Sequence, residues 1–542
     1  MLLTIPVTIL HRPSKINLIS KRKLLELVSI VIPVLLVFYL WQFKSPYPFN
    51  WDLYEHQTLI NNIIVNNRFS FVTSKITDTF GFNGYSTLFH SLLATGQVWL
   101  PIDILGFWQL LGLTQLISVA FAQFYLTVII TKNKFIGYIS LLLSLFLLDT
   151  NISFTGHYFM PQTFTALIFI FLIIQLFSCS QQKKLIPWPL ILIYSLFLLL
   201  SHYIIGSIAI IIYLMIYIYY HHYRVIDPLI KNSLFIEIII IFYIFSLILV
   251  PSLPLSQINK GEAADFTFSI NQIVLNMRQY YGYLILLFLP LGIIYLVKNK
   301  EEKLVITSLV MMGLIILVIS PIPYALKFYV LARYFVHVIL AVGIYRFIKR
   351  LKNKTYKLTG LIFLTFTLLI MFINNIYYWK SPYLYRNNYT NISQYEIEAA
   401  QFLRKKYFGQ NVLLISDPAT QNILEALSTI NSQGGSYMNL NSRQKLDTAW
   451  KNNNLNSRAQ IINQINDQLI LNPEKRILIV SGRYFTWQKQ TKNNKSALSV
   501  NIWSPGDLSL ENKAIINQIQ STSDKFLLVY QNPTLAIFEV KK

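Results

Sequence analysis

The chain has 542 residues, 54% of them hydrophobic, 15% aromatic and only 13% charged. Soluble domains carry about 25% charged residues, so half that share excludes an ordinary soluble enzyme and a disordered tail protein. Lysine and arginine number 46 against 23 aspartates and glutamates, a net charge of +23, and its placement decides between a nucleic-acid face and a membrane orientation.

The basic run Lys21-Arg22-Lys23 leads into a first apolar stretch at 24–43. That stretch is too long for a signal-peptide core and carries no small-residue cleavage site, so it reads as a span. Ten more follow, at 104–131, 136–149, 162–179, 185–200, 204–220, 234–252, 282–297, 304–320, 331–348 and 357–378. A spanning helix needs about 20 mostly apolar residues, which makes this an α-helical polytopic membrane protein with about eleven transmembrane helices. With the N-terminus cytoplasmic, the inner segments of 1–379 hold 20 lysines and arginines and the outer segments hold 7. Excess positive charge marks the cytoplasmic side, so the charge is topological and implies no nucleic-acid partner. The single cysteine, Cys179, permits neither an internal disulfide nor a cysteine-based metal site.

Two domains follow from this pattern. Residues 1–379 form a polytopic membrane domain whose first outer loop, 44–103, is its longest. An odd number of spans puts 380–542 outside the cell, as an extracytoplasmic α/β domain. Strands are expected at 411–416 and 476–481, helices near 394–408, 418–430 and 456–470, and a hairpin over 526–530 and 535–540. No glycine-rich phosphate loop follows either of the first two strands.

The candidate chemistry concentrates in the first outer loop, which holds Asp52, Glu55, Asp78 and Asp103, four of the twelve acidic residues of 1–379. Asp52 opens the segment Asp52-Leu53-Tyr54-Glu55-His56 just beyond the first span. Leu59, Ile60, Ile63 and Ile64 then fall on one helical face, which predicts an amphipathic helix along the membrane surface with Asp52 at its N-cap. The bland reading of Asp-x-x-Glu is a capping box, and Trp51 reads as an interfacial anchor. Downstream lies Tyr85-Ser86-Thr87-Leu88-Phe89-His90.

A membrane-surface acid after the first span, followed by an aromatic–Leu-Phe-His element, resembles the C-class (GT-C fold) of integral-membrane glycosyltransferases. That class includes the protein O-mannosyltransferase, aminoarabinose-transferase and oligosaccharyltransferase types. The matching elements are Asp52…His56 and Tyr85…His90, with Ser86 and Thr87 standing where the class carries prolines. The resemblance implies a polyprenyl-(pyro)phosphate-linked sugar as donor, a glycan, lipid or protein as acceptor, and transfer on the outer face of the cell membrane. Asp52 takes the position of the catalytic base, with Glu55 or His56 orienting it. Asp52 and Glu55 are also the candidate ligands of a divalent Mg or Mn ion, although the loop has no tight Asp-x-Asp.

The departing phosphate needs cations, and Arg278, Lys327 and Arg333 are three of the seven outer basic residues. Each also reads as an interfacial residue whose charged end reaches the headgroups. Asp78, His90, His157 and His202 complete the candidates for a cavity, though a lone histidine at a helix end is more often structural. From other classes, a transporter or permease would carry paired ionisable groups near the midplane. The span centres here are almost free of them, His337 being the nearest exception. A non-catalytic assembly protein is a further reading. A surface-polysaccharide ligase or polymerase would lean on the arginines and histidines more than on Asp52.

Overall fold

The computed structural model describes residues 29, 51–66, 87–100, 104–147, 159–181, 186–221, 281, 286–299, 302–318, 328–351, 353–380, 392–410, 412–430, 474–483, 506–508, 510–521 and 524–541. Met1–Lys44 and Ser45–Lys542 are separate compact units, and the elements below belong to the second. Two helices come first, α1 (Trp51–Asn66) and α2 (Thr87–Trp99), packed together. Among the described residues nine apolar helices follow: α3 (Ile104–Thr131), α4 (Lys134–Phe146), α5 (Pro161–Gln181), α6 (Trp188–Ser201), α7 (Tyr203–His221), α8 (Phe288–Asn299), α9 (Glu302–Val318), α10 (Tyr329–Arg350) and α11 (Lys354–Lys380). They fall on nine of the eleven apolar stretches; the stretch at 234–252, and that at 24–43 apart from residue 29, lie outside the described residues. Among the described residues, three segments are long and apolar enough to cross a bilayer, Gly106–Thr131, Pro161–Ser180 and Tyr329–Arg350. Helices α6 and α11 turn Leu192, Leu196, Ile362 and Phe366 outward, an apolar surface of the kind lipid covers.

Local chemistry sets the joins. Lys132 adopts the left-handed region (φ 54°) after α3, and Asn133 caps α4 by accepting from the backbone N–H of Phe135 and Ile136. Helix α10 is buried almost throughout and ends on Lys349 and Arg350, whose charge suits a helix C-terminus. It meets α8 at two glycines. A Cβ on Gly343 would stand 2.0 Å from the Phe288 carbonyl oxygen, and one on Gly292 would stand 2.2 Å from the Ile339 carbonyl oxygen. Both obstacles are backbone, so neither yields cheaply. Gly343→Ala is therefore expected to destabilise by at least about 1–3 kcal/mol. Thermal unfolding in detergent reads this out. Gly96→Ala, where a Cβ meets nothing within 4 Å, is expected instead to stabilise by up to about 1 kcal/mol through helix propensity.

The C-terminal elements are α12 (Gln394–Tyr407), β1 (Val412–Ile415), α13 (Pro418–Ser428), β2 (Lys475–Ser481), α14 (Leu510–Gln520), β3 (Phe526–Gln531) and β4 (Leu535–Val540). The sheet order is β1-β2-β4-β3, with β1 parallel to β2 and the other pairs antiparallel. Successive strand residues face opposite sides. Leu413, Ile415, Leu478 and Val480 pack with Ile516 and Ile519 of α14, while Val412, Leu414, Ile477 and Ile479 pack with Leu403 and Tyr407 of α12. Helices on both faces explain why β1 and β2 are continuous apolar runs rather than alternating ones. The expected helix at 456–470 lies outside the described residues.

Helix α13 joins this sheet to the rest of the unit. Leu424 belongs to the core beneath the sheet, while Ile423 and Ala426 pack with Leu53, Tyr54 and Ile60 of α1 and Phe89 of α2. That contact corrects one expectation. Helix α1 does not present an apolar face to a membrane and a polar face to water. Its buried set includes the polar residues His56, Gln57, Thr58 and Asn61 alongside Leu53, Tyr54 and Ile60, whereas Leu59, Ile63 and Ile64 are only half-buried.

Candidate functional site

The two sequence elements singled out in the first outer loop meet in space. His56, in the second turn of α1, and His90, in the first turn of α2, are both buried, and His56 Nδ1 lies 3.0 Å from His90 Nε2. One ring donates and the other accepts, so at least one of the two imidazoles is neutral. Phe89 fixes His90 from behind. Its ring sits in an aromatic cluster with Trp108, Phe159 and Phe164 and meets the His56 ring edge-on at 6.0 Å. Trp108 donates its indole N–H to the Phe159 carbonyl at 2.7 Å. The Leu-Phe-His run thus works as a hydrophobic anchor followed by a polar group.

Asp52 and Glu55 lie on α1, and their side chains are outside the described residues. The helix includes Trp51, so Asp52 stands inside its first turn rather than at the N-cap. A capping box is built at α12, where Ser393 caps the helix with Glu396 at the third position, each bonded to the other's backbone N–H. Asp52 precedes His56 by four residues, one helical turn, which puts both positions on one side of α1.

Arg333 is placed differently. It is 3% exposed, one turn into α10. The backbone carbonyl of the next residue, Tyr334, accepts from Gln123 Nε2 at 2.9 Å. Gln123 and Trp108 are fifteen positions apart on α3, about 22 Å of helix axis. The α10 backbone beside Arg333 thus meets α3 about four turns from Trp108. Around it lie residues the sequence reading left unassigned or only noted: His337 one turn on, Tyr281 edge-on to His337 at 5.8 Å, and Tyr329, which donates its hydroxyl to that of Tyr281. His202 is fully buried between α6 and α7, and its Nδ1 accepts from the Ile205 backbone N–H at 3.3 Å, a capping role. Arg278, Lys327, Asp78, His157 and Asp103 lie outside the described residues.

A second polar cluster, missed in the sequence, closes the C-terminal ends of β1 and β2. Arg483 donates from Nε and Nη2 to the two carboxylate oxygens of Glu396, both side chains buried. Asp417 accepts from Ser481 Oγ and from the Thr420 backbone N–H. Burial pushes the Asp417 carboxyl up from its ordinary value, against hydrogen bonds from Ser481 and Thr420 and the Arg483 charge. Burial would lower the Arg483 guanidinium, but the adjoining Glu396 carboxylate, with Asp417, holds it above the usual arginine value. Tyr54 of α1 also lies within electrostatic reach of Arg483. The one available signal was strand-end polarity, in Ser416-Asp417 and Ser481-Gly482-Arg483.

Among the described residues no three or more histidine, cysteine or acidic side chains are grouped so as to hold a metal ion. The facing nitrogens of His56 and His90 suit two adjacent ligands on one ion as well as they suit a hydrogen bond, and imidazole with a carboxylate is an ordinary donor set for Mn²⁺.

No protein-family model matches the chain, and neither does any curated protein sequence. Solved structures do. The oligosaccharyltransferase of Archaeoglobus fulgidus, tethered to an acceptor peptide containing the NVT sequon, matches with a TM-score of 0.52 at 11% identity, over 83% of this chain and 69% of that one. The archaeal oligosaccharyltransferase AglB from the same organism, in complex with an inhibitory peptide and a dolichol-phosphate, matches with a TM-score of 0.52 at 11% identity, over 89% and 72%. The apo form of the A. fulgidus enzyme gives 0.51 at 11% identity, over 84% and 70%. The likeness spans membrane helices and C-terminal region alike, and it is a likeness of fold.

Proposed function

We propose that this chain is a membrane glycosyltransferase that moves a sugar from a polyprenyl-(pyro)phosphate donor to an acceptor on the outer membrane face. The observation that carries the reading is the contact of His56 with His90. It unites the two loop elements on which the glycosyltransferase resemblance rests, within a fold shared with the archaeal oligosaccharyltransferases. The 20-to-7 distribution of basic residues supports a cytoplasmic N-terminus and an extracytoplasmic C-terminal region in a multi-pass cell-membrane protein of about eleven spans.

In this reading Asp52 is the base. The acceptor's nucleophilic atom attacks the anomeric carbon, the carbon–oxygen bond to the lipid phosphate breaks, and the phosphate leaves with the bonding electrons. The acceptor's proton passes to the Asp52 carboxylate. His56, held by His90, keeps this side of α1 in place, and Glu55 aids the orientation of Asp52. Asp52, Glu55 and His56 would hold a divalent Mg or Mn ion, which supplies positive charge to the leaving phosphate. Arg278, Lys327 and Arg333 are the proposed phosphate-binding cations, with Asp78, His157 and His202 as further cavity residues. The A. fulgidus structures carry a peptide and a dolichol-phosphate, which makes a polypeptide the first acceptor to try, ahead of a glycan or a lipid.

Membranes containing the chain, given a panel of radiolabelled polyprenyl-phosphate and pyrophosphate sugars, should move label from the lipid phase to an acceptor phase. Membranes without the chain should not. If no donor in the panel yields chain-dependent product, the glycosyltransferase reading fails.

A further inference from the structure

Helix α1 is tied to α13 by a polar side chain as well as by apolar packing. Asn61 is fully buried, and its Nδ2 donates to the Ala426 carbonyl at 2.8 Å and lies 3.5 Å from the Glu425 carbonyl. Helix α13 ends at Ser428, with Thr429 in the left-handed region beyond it. The carbonyls of its last turn have no partner within their own helix, so Asn61 satisfies the end of a helix far away in sequence. The other end of α13 is fixed just as firmly. Asp417 caps it and accepts from Ser481 at the end of β2, and Thr420 Oγ1 donates to Ser481 Oγ at 2.9 Å.

The same side chain begins a relay into the candidate site. Asn61 Oδ1 accepts from Gln57 Nε2 at 2.8 Å, and that nitrogen lies 3.2 Å from Gln97 Oε1 on α2. The next residue along, His56, bonds His90 on the same α2. Helices α1 and α2 are thus joined by two polar contacts, and α13 is joined to them through Asn61. Sliding α1 by one residue, about 1.5 Å, would break the bonds at Asn61 and Gln57 and pull His56 from His90.

We infer that Asn61 is a positioning residue: α13 acts as a strut between the C-terminal sheet and α1, and Asn61 sets the register in which α1 presents Asp52 and His56. The inference rests on the glycosyltransferase reading for its kinetic consequence but not for its structural one.

Two variants separate the relay from local support of α1. Asn61→Asp keeps the oxygen that accepts from Gln57 and loses the amide that donates to α13. Asn61→Leu loses both. Both should lower kcat by about 10–100-fold, the range that a misplacement near 1 Å produces, while donor-lipid affinity stays at the wild-type value. The Asp variant should do no better than Leu. Amide hydrogen exchange should quicken in 53–61 and in 421–428 of both variants, while β2 keeps its protection. Wild-type kcat and wild-type exchange in Asn61→Asp would overturn the inference, since only the contact within α1 would then matter. Equal loss of kcat and donor affinity, with exchange raised in β2 as well, would also overturn it, as general unfolding. If wild-type protein transfers no sugar from any donor, the functional reading falls, and the exchange pattern alone decides whether Asn61 couples α1 to α13.

Discussion

Asp52→Asn is expected to lower turnover by about 10²–10⁴-fold, the span a general base supplies, with the protein folded and its donor affinity retained. Asparagine matches aspartate in size and cannot take a proton. The competing explanation is structural, because a negative charge in the first turn of α1 also favours the helix. That favour amounts to about 0.3–1 kcal/mol. A 10²–10⁴-fold loss corresponds to roughly 2.7–5.4 kcal/mol at 1.36 kcal/mol per decade. The two effects therefore differ in size as well as in kind. Turnover and thermal unfolding measured on one preparation separate them. Full turnover in the folded variant would remove Asp52 from the mechanism and bring Asp78 or Asp103 forward.

The second large effect concerns stability. Glu396→Gln should destabilise the protein by about 3–5 kcal/mol, because it leaves the buried Arg483 charge uncompensated. Glutamine still offers an acceptor to the Ser393 backbone N–H, so the loss is not that of the cap. Replacing both residues by methionine should recover most of the loss, since a buried pair exchanged for apolar side chains is often neutral or better. The Glu539 cluster provides the contrast. Lys406 and Lys475, 36% and 41% exposed, lie 2.8 and 3.6 Å from Glu539. Burial would raise the Glu539 carboxyl, but bonds from Lys406 and Tyr407 and the two lysine charges hold it below its ordinary value. Its contribution is thus present above the ordinary glutamate pKa and fades as the pH falls through the lower folded value. Such exposed pairs contribute only about 0–1 kcal/mol. Chemical denaturation of Glu396→Gln, Glu539→Gln and the double methionine variant orders the three. A Glu396→Gln protein as stable as wild type would mean that Arg483 finds another counter-charge, with Asp417 the nearest candidate.

Length and apolarity made the helical core readable. An uninterrupted run such as 104–131 or 331–348 has no stable alternative to a helix in an apolar surrounding, where backbone groups must be satisfied within the segment. Strands β1 and β2 were readable because short β-branched and leucine runs end abruptly on Ser416 and Ser481. Helix α1 was only half readable. Its helical period was plain, but Leu59, Ile60, Ile63 and Ile64 suggested a membrane-facing stripe, whereas of these only Ile60 is fully buried and the buried face is centred on Tyr54, Gln57 and Asn61. Buried amides are acceptable only with partners, and those partners, Gln97 and Ala426, sit 40 and 365 residues away. No local rule signals them. His56 and His90 were each named from their own motif, yet nothing in either motif said that their nitrogens would touch. Arg333 was named from its position in the chain, and nothing there signalled that it would be buried.

The bond from Asn61 to Ala426 also has a consequence for biogenesis. At about 5–20 residues per second of synthesis, the 365 residues between the two take roughly 20–70 s to emerge. Throughout that interval α1 has left the ribosome while the helix that completes it has not been made. The apolar helices between them can insert and pack as they appear, and α1 can meet α2, but the Asn61 amide must stay hydrated until α13 exists. The candidate site is then completed late, although its residues are among the first translated. A chain stalled before α13 would hold α1 and α2 without the helix that takes up the Asn61 amide.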